Sequence, residues 1–332
     1  MYSRWFSEPD PVYGELVTRL YGRDTGEALS RNYCGQLSRA ARTEQPAAPP
    51  WAQRLDWQGV ALYRDGEAVA HAVVQVVKDR PLVYVGYVET VDDQDVAAAL
   101  VQAVRDRLRY EHPGRISYWP VNLSIWHSYR FKTWGDEPLP FETPCRPYYG
   151  RLFGDLFEQK ELYSSYRMPL PAPRAVTGAG RPFHIRQISL TDRLTDLRAL
   201  YDLSGAIFES EHSSPSFEEF AAIYGNISSV QGGPGIDPRL VLIAEGDGRP
   251  IGFIFAVAQQ QSVYIKTFGV LSQYRCWGVG RQLYDTLCIE ARQSGCDTLY
   301  GLLIKDDRPI RRLLPAGAVR VAGYTVYVDR AP

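Results

Sequence analysis

The chain has 332 residues, 45% of them hydrophobic and 23% charged, and its formal net charge is −1. This length suits two domains of about 150 residues better than one core. Because 37 basic residues are balanced by 38 acidic ones, the composition argues against a protein that binds nucleic acid by displacing counterions.

The sequence also lacks the signals of membrane, secreted and metal-binding proteins. No apolar run approaches the roughly 20 residues of a transmembrane helix, and the N-terminus lacks the apolar segment of a secretory signal. The five cysteines are odd in number and have no CxxC spacing, which favours a reducing compartment over a disulfide framework or a zinc site. We therefore expect a cytoplasmic protein without a metal, as a monomer or a homodimer.

The first half predicts a β-hairpin, a third strand and a helix in that order. The strands are expected at 59–63, 68–77 and 81–88, and the helix at 93–108. A Pro-rich surface loop is expected at 45–50. An aromatic run at 118–131, which includes His127, fits either a core strand with its turn or the wall of an acceptor pocket.

A linker is predicted at 169–182, where Pro, Gly and Ala interrupt the periodicity on both sides. It would separate a first domain at 1–168 from a second at 183–332. The second half repeats the order of the first, with strands at 239–245, 250–258 and 262–270 and a helix at about 281–293. A strand at 298–304, a short helical segment at 310–314 and a last strand at 322–328 follow. Both halves therefore predict the same mixed-sheet α/β (α+β) fold.

The loop Arg275-Cys276-Trp277-Gly278-Val279-Gly280 joins the third strand of the second half to its helix. The first N–H groups of a helix have no intrahelical acceptor, and the helix dipole adds positive potential there. Glycines at 278 and 280 would let the backbone close on phosphate oxygens, and Arg275 supplies a cation. The loop therefore predicts an anion site. It is not the dinucleotide fingerprint, because no third glycine follows.

The segment from Ser262 to Gly295 resembles the signature of the GNAT acyltransferase superfamily, with [Arg/Gln]-x-x-Gly-x-[Gly/Ala] opening a helix after a strand. The resemblance extends over about 183–328. It implies acetyl-CoA or another acyl-CoA as donor, with the pantetheine arm along Phe268, Gly269 and Val270. The pyrophosphate would lie on the amides of residues 276–280. Cys276 is then a loop residue rather than a nucleophile.

The resemblance also implies direct transfer of the acyl group to an amine, or less often to a thiol or hydroxyl. The family's usual proton donor is a tyrosine four residues before a late glycine, but here that position is Leu313. Tyr324 is the nearest tyrosine in sequence that could replace it. The competing interpretation is that Tyr324 only packs as a residue of the last strand. On the acceptor side, Glu209, Glu211 and His212 could bind an ammonium group and accept its proton. They could equally form a solvated turn in which Ser213 or Ser214 caps the next helix through Glu218. Asp306 and Asp307 could contact pantetheine or acceptor.

The first half lacks the phosphate loop. After Val88 it carries four acids within residues 89–95 and no glycine, which suits a helix cap but repels pyrophosphate. We therefore expect two tandem GNAT-like domains, the first degenerate, an arrangement similar to that of the mycothiol synthases.

The leading hypothesis is an acyl-CoA-dependent N-acyltransferase that acts on a small amine or a carrier-tethered acceptor. The missing tyrosine leaves open transfer to a thiol, such as a carrier protein's pantetheine, or decarboxylation of a malonyl-type acyl-CoA. A non-catalytic acyl-CoA sensor is a third possibility. A Fem-type ligase that uses aminoacyl-tRNA also pairs two such folds, but the phosphate loop and the neutral charge count against it.

Overall fold

The computed structural model describes residues 1–41, 55–124, 128–136, 138–142, 144–172, 182–189, 191–208, 216–225 and 237–330. The chain divides into two compact units. Unit 1 consists of Met1–Trp134, Thr143–Leu162 and Tyr324–Pro332, and unit 2 of Gly135–Glu142 and Tyr163–Gly323. The predicted Pro-rich loop and most of the predicted linker lie outside the described residues. The boundaries at 168 and 183 stay a prediction.

Unit 1 is a mixed sheet with helices on both faces. Its elements are β1 (Tyr2–Phe6), α1 (Val12–Tyr21), α2 (Arg23–Ala41), β2 (Leu55–Arg64), β3 (Glu67–Val77), β4 (Leu82–Thr90), α3 (Gln94–Glu111), β5 (Ile116–Trp119), β6 (Val121–Asn122), β7 (Ser128–Tyr129), β8 (Phe131–Trp134) and α4 (Tyr149–Gly154). β9 (Gln159–Pro169) begins in this unit, and β15 (Val319–Arg330) ends in it. The strand order is β1-β2-β3-β4-β5-β15, in which only the β4–β5 pair is parallel.

Alternation along β3 explains why unit 1 has two cores. Ala72, Val74 and Val76 pack in one cluster with the apolar face of α3, while Val73 and Val77 pack in another with α1 and α2. Successive side chains of a strand point to opposite faces of the sheet. A strand that is apolar at every position therefore needs helices on both sides.

Unit 2 repeats this plan. Its elements are the rest of β9, β10 (Phe183–Gln187), α5 (Arg193–Phe208), α6 (Phe217–Gly225), β11 (Val241–Gly246), β12 (Arg249–Gln259), β13 (Ser262–Val270), α7 (Val279–Gln293), β14 (Thr298–Lys305) and the start of β15. Short 3₁₀ turns lie at Pro238–Leu240, Ser272–Tyr274 and Pro309–Leu313. The strand order is β9-β14-β13-β12-β11-β10, in which only β13–β14 is parallel.

The two faces of the unit 2 sheet are also covered by helices. Leu283 and Leu287 of α7 are fully buried in a cluster with Ile254 of β12. On the other face, the rings of Tyr224 in α6 and Phe255 in β12 lie edge to face, with 4.6 Å between their centroids. No helix among the described residues is long and apolar enough to cross a membrane.

The predicted repeat of hairpin, third strand and helix is confirmed in both units. The prediction of β13 at 262–270 matches its observed bounds, and α7 begins two residues before the predicted start. The predicted short segment at 310–314 is a 3₁₀ turn at Pro309–Leu313. The α/β mixed-sheet fold class is therefore confirmed, with a core of its own in each unit.

Candidate functional site

The site of unit 2 begins where its two parallel strands separate. β13 and β14 pair at only four positions, from Ser262 with Thr298 to Ile265 with Gly301. Beyond Ile265, no described strand pairs with the edge of β13 that faces β14. Residues 266–270 are all half-buried. Phe268, Gly269 and Val270 remain paired to β12 on the other side. The backbone of β13 therefore presents an open edge of five residues, of the kind that binds an extended ligand as an added strand.

A β-bulge coincides with this separation. Phe255 pairs with Thr267 and Ala256 with Ile265, so Lys266 is the extra residue on β13. A bulge turns the strand and increases its local twist. This turn moves the end of β13 away from β14 and opens the gap between them.

The loop after β13 is held by the buried side chain of Tyr274, and two of its residues have positive φ values. Tyr274 is buried and its hydroxyl accepts a hydrogen bond from Arg249, at 3.0 Å. Cys276 and Gly278 then take left-handed φ values of 73° and 83°, and Gly278 is the N-cap residue of α7. A left-handed residue followed by a right-handed one, as at Gly278 and the first residue of α7, turns successive amides toward one concavity, which is a known anion-binding geometry.

The first amides of α7 are available to this concavity. The first helical bond runs from the Gln282 amide to the Gly278 carbonyl, at 3.0 Å, so the amides of Val279, Gly280 and Arg281 precede it. A Cβ atom at Gly280 would lie 3.4 Å from the Phe268 ring, which is ordinary contact. The protein's own packing therefore does not require glycine at 280, whereas a phosphate close to the backbone would favour it.

Two exposed side chains flank the loop. Arg275 is exposed and has no ion pair within the described part of the chain. Trp277 is 52% exposed, with its ring edge-on to Tyr274 at 5.3 Å between centroids. The loop thus offers a free cation and an aromatic face in addition to its amides. Cys276 is an exposed free cysteine in this loop.

Lys266 projects from the bulge into aromatic surroundings that the sequence did not reveal. Its Nζ lies 4.4 Å from the ring centroid of Tyr224 and 4.9 Å from that of Phe141. Burial lowers the pKa of Lys266 to about 8, because desolvation disfavours the ammonium form. The sequence contained Lys266 but no signal that two rings from distant segments would enclose it.

Both helices that flank the predicted acceptor segment contact β13. A Cβ atom at Gly269 would lie 2.9 Å from Ile207 and 3.2 Å from Phe208 of α5, so glycine is required there by close packing. The Tyr224 hydroxyl of α6 is 2.7 Å from that of Thr267. Glu209, Glu211 and His212 lie outside the described residues, which end for this segment at Phe208 of α5. The helix cap expected at Ser213 or Ser214 with Glu218 is instead formed by Ser216 and Glu219, which bond each other's amides.

The remaining candidates fall at other places. Tyr324 is 3% exposed in β15 and belongs to unit 1. Leu313 ends the 3₁₀ turn that stands at the family's tyrosine position. Asp306 accepts a hydrogen bond from Ser164, at 2.7 Å, and Asp307 pairs with Arg308.

Unit 1 has the same strand separation, but the gap is closed. β4 and β5 pair at only three positions, and a bulge at Tyr87–Val88 follows. At this bulge the Tyr87 amide donates to Asn122, at 2.7 Å, and Gln75 bonds the backbone of Val121 and Leu123. Asp93 caps α3 by accepting from two amides of its first turn. One amide at the bulge of β4 and two amides in the first turn of α3 therefore already donate to side chains in unit 1.

Comparison with known proteins agrees with this geometry. Residues 197–314 match the model of the Acetyltransferase (GNAT) family. A GCN5-related N-acetyltransferase from Sphaerobacter thermophilus shares the fold with a TM-score of 0.51 at 14% identity, over 99% of this chain and 96% of that one. A tandem GNAT protein from the clavulanic acid biosynthesis pathway has a TM-score of 0.51 at 12% identity, over 100% and 99%. A GCN5-related N-acetyltransferase from Anabaena variabilis has a TM-score of 0.57 at 10% identity, over 100% of this chain and 73% of that one. No curated protein matches in sequence.

The chain shares its mixed-sheet fold with solved GNAT proteins, one of them a tandem GNAT protein whose likeness extends over the whole chain. Within the second half, residues 197–314 match the GNAT family model.

Proposed function

We propose that the protein is an acyl-CoA-dependent N-acyltransferase, with acetyl-CoA as donor and a small amine or carrier-tethered amine as acceptor. The observation that supports it most is the continuous surface from the open edge of β13 to the first amides of α7. This surface offers a strand partner for pantetheine and, one loop later, an anion site for pyrophosphate.

Each part of the surface has a role in this proposal. Residues 268–270 pair with the pantetheine amides. The amides of Cys276 and of residues 278–280 bind the pyrophosphate, with Arg275 as the cation, whereas the Trp277 amide donates to the Tyr274 carbonyl. Trp277 stacks on the adenine. The acceptor nitrogen attacks the thioester carbon and gives up a proton to an acceptor-side base, the carbon–sulfur bond breaks, and the leaving sulfur takes a proton.

Lys266 is our proposed proton donor in place of the missing tyrosine. It stands at the bulge where the open edge begins, and its pKa of about 8 keeps it largely protonated at neutral pH while allowing transfer to a thiolate. Glu209, Glu211 and His212 remain the proposed acceptor-side residues, because α5 delivers the chain next to Gly269. We retain Tyr324 as the competing donor.

Leu313 favours a second candidate function. Leu313 replaces the tyrosine that the resemblance implies as proton donor. The second candidate is therefore transfer to a thiol on a carrier protein, or decarboxylation of an acyl-CoA. Free CoA formed from acetyl-CoA, separated from other thiols by chromatography over panels of amines and of thiol acceptors, distinguishes the two transfer reactions, and CO2 loss from malonyl-CoA detects the decarboxylation. Amine-dependent CoA formation supports the proposal. CoA formation that depends only on thiols, or CO2 loss, would select the second function, and neither product despite CoA binding would indicate a sensor.

A further inference from the structure

An open pocket lies in unit 1, and all of its lining residues belong to that unit. Its walls come from α1, α2, β4, the β5–β8 region and the segment before α4. Nearly half of the lining residues are aromatic or carry an amide side chain: Tyr13, Asn32, Tyr87, Asn122, Phe131 and Tyr149. The cavity lies beside the bulge of β4, where Asn122 closes the gap that unit 2 leaves open. It is therefore not a second pantetheine channel.

Glu89 contributes a carboxylate to this cavity, although the residue is only 5% exposed. The hydroxyls of Tyr21 and Tyr149 both donate to the same oxygen, Oε2. Within the described part of the chain Oε1 accepts no hydrogen bond, and Glu89 forms no ion pair. Burial of the carboxyl group raises the pKa of Glu89 by more than the charge of Arg146 lowers it. The result is a pKa of about 7 for Glu89.

A buried carboxylate with one uncompensated oxygen is costly, and it costs less when a cation enters beside it. The surrounding rings favour the same ligand charge, because the faces of tyrosine and phenylalanine attract cations. Arg130, on the same wall, has interactions of its own, although its buried Nε donates no hydrogen bond to a described residue, so the wall carries one cation as well as the Glu89 carboxylate. An anionic ligand would meet the Glu89 carboxylate, whereas a neutral one would leave it unpaired.

We propose that this cavity binds a small molecule with an ammonium group, which bonds Oε1 of Glu89 and lies among the rings of Tyr13, Tyr87 and Tyr149. The site is separate from the acyl-CoA surface of unit 2. It gives the degenerate domain a binding role of its own, with Tyr21 and Tyr149 fixing the carboxylate so that its second oxygen is available.

Tyramine and tyrosol test this proposal, because they differ only in an ammonium group against a hydroxyl. In NMR titrations of the full chain we expect tyramine to bind at least tenfold more tightly than tyrosol. Glu89→Gln should reduce this ratio to near one. Lys78→Met, a surface substitution of unit 1 outside the cavity, should keep the preference. Equal binding of the two compounds by the wild-type protein, or no binding of tyramine, would overturn the proposal.

The location is tested in the wild-type protein without relying on a variant. Tyramine should shift the backbone amide signals of Tyr87, Glu89 and Asn122. Shifts confined to residues 237–330, or a tyramine preference that survives in folded Glu89→Gln, would place the amine elsewhere and contradict the assignment. Gly278→Glu in unit 2 should leave tyramine binding unchanged.

Discussion

Lys266 is the single side chain on which the proposed proton transfer depends. A donor must be protonated, so kcat should fall as the pH rises through about 8. Lys266→Met should remove this alkaline limb and lower kcat about a hundredfold, with the KM for acetyl-CoA unchanged because the phosphate loop is intact. Lys78→Met, a surface substitution in unit 1, serves as the control. An unaltered pH profile in Lys266→Met would exclude the role.

Two buried groups of unit 1 predict the acid response of its stability. Burial lowers the pKa of His71 to about 4, so the unfolded chain binds its proton first and His71 destabilises the fold as the pH falls from about 6.5. Glu89, with its pKa raised to about 7, has the opposite sign: the folded state keeps the proton that the unfolded chain releases above about 4.5.

Between about pH 6.5 and 4.5 the two contributions therefore nearly cancel in the wild-type protein. Glu89→Gln should remove one of them and expose the other, so that the free energy of unfolding falls by about 1.4 kcal/mol per pH unit on acidification. Urea unfolding of both proteins at pH 6.5, 5.5 and 4.5 measures this slope. Parallel curves for the two proteins would show that the assigned pKa shifts are wrong.

At the scale of elements, the edge of β13 and the start of α7 use glycine for different reasons. An alanine Cβ at 269 would lie 2.9 Å from Ile207, whereas at 280 it would meet nothing closer than 3.4 Å. Gly269→Ala should destabilise the protein by about 1–3 kcal/mol through overpacking. Gly280→Ala should stabilise it by up to about 1 kcal/mol through helix propensity. Denaturant midpoints that move in the same direction for both variants would contradict this distinction.

The same elements show what local pattern can and cannot predict. Alternation and the glycine loop located β13 and α7 to within two residues, because both signals are local. The bulge at Lys266 was missed, since one extra residue in a strand depends on the register of its neighbour. The rings of Tyr224 and Phe141 around Lys266 come from distant segments, so no spacing in the sequence indicates them.

At the scale of the whole molecule, the sequence predicted two domains of like element order. It did not indicate that Tyr324–Pro332 belong to the compact unit of the first half, where Tyr327 pairs with Trp119. An amphipathic strand fits many sheet edges, and its partner is selected by tertiary packing rather than by its own pattern. The two units also differ at the point where their parallel strands separate. The gap between these strands is open in unit 2, whereas in unit 1 the side chain of Asn122 fills it.

The central claim is that unit 2 binds CoA through the loop before α7, and calorimetric titration of CoA tests it. Gly278 and Gly295 stand at opposite ends of α7 and share a φ of 83°, so substitution at either imposes a similar backbone strain. We predict that Gly278→Glu weakens CoA binding at least thirtyfold, about 2 kcal/mol, by placing a carboxylate among the phosphate-binding amides, while Gly295→Glu binds like the wild type. Equal CoA affinity in the wild type and Gly278→Glu would contradict the account.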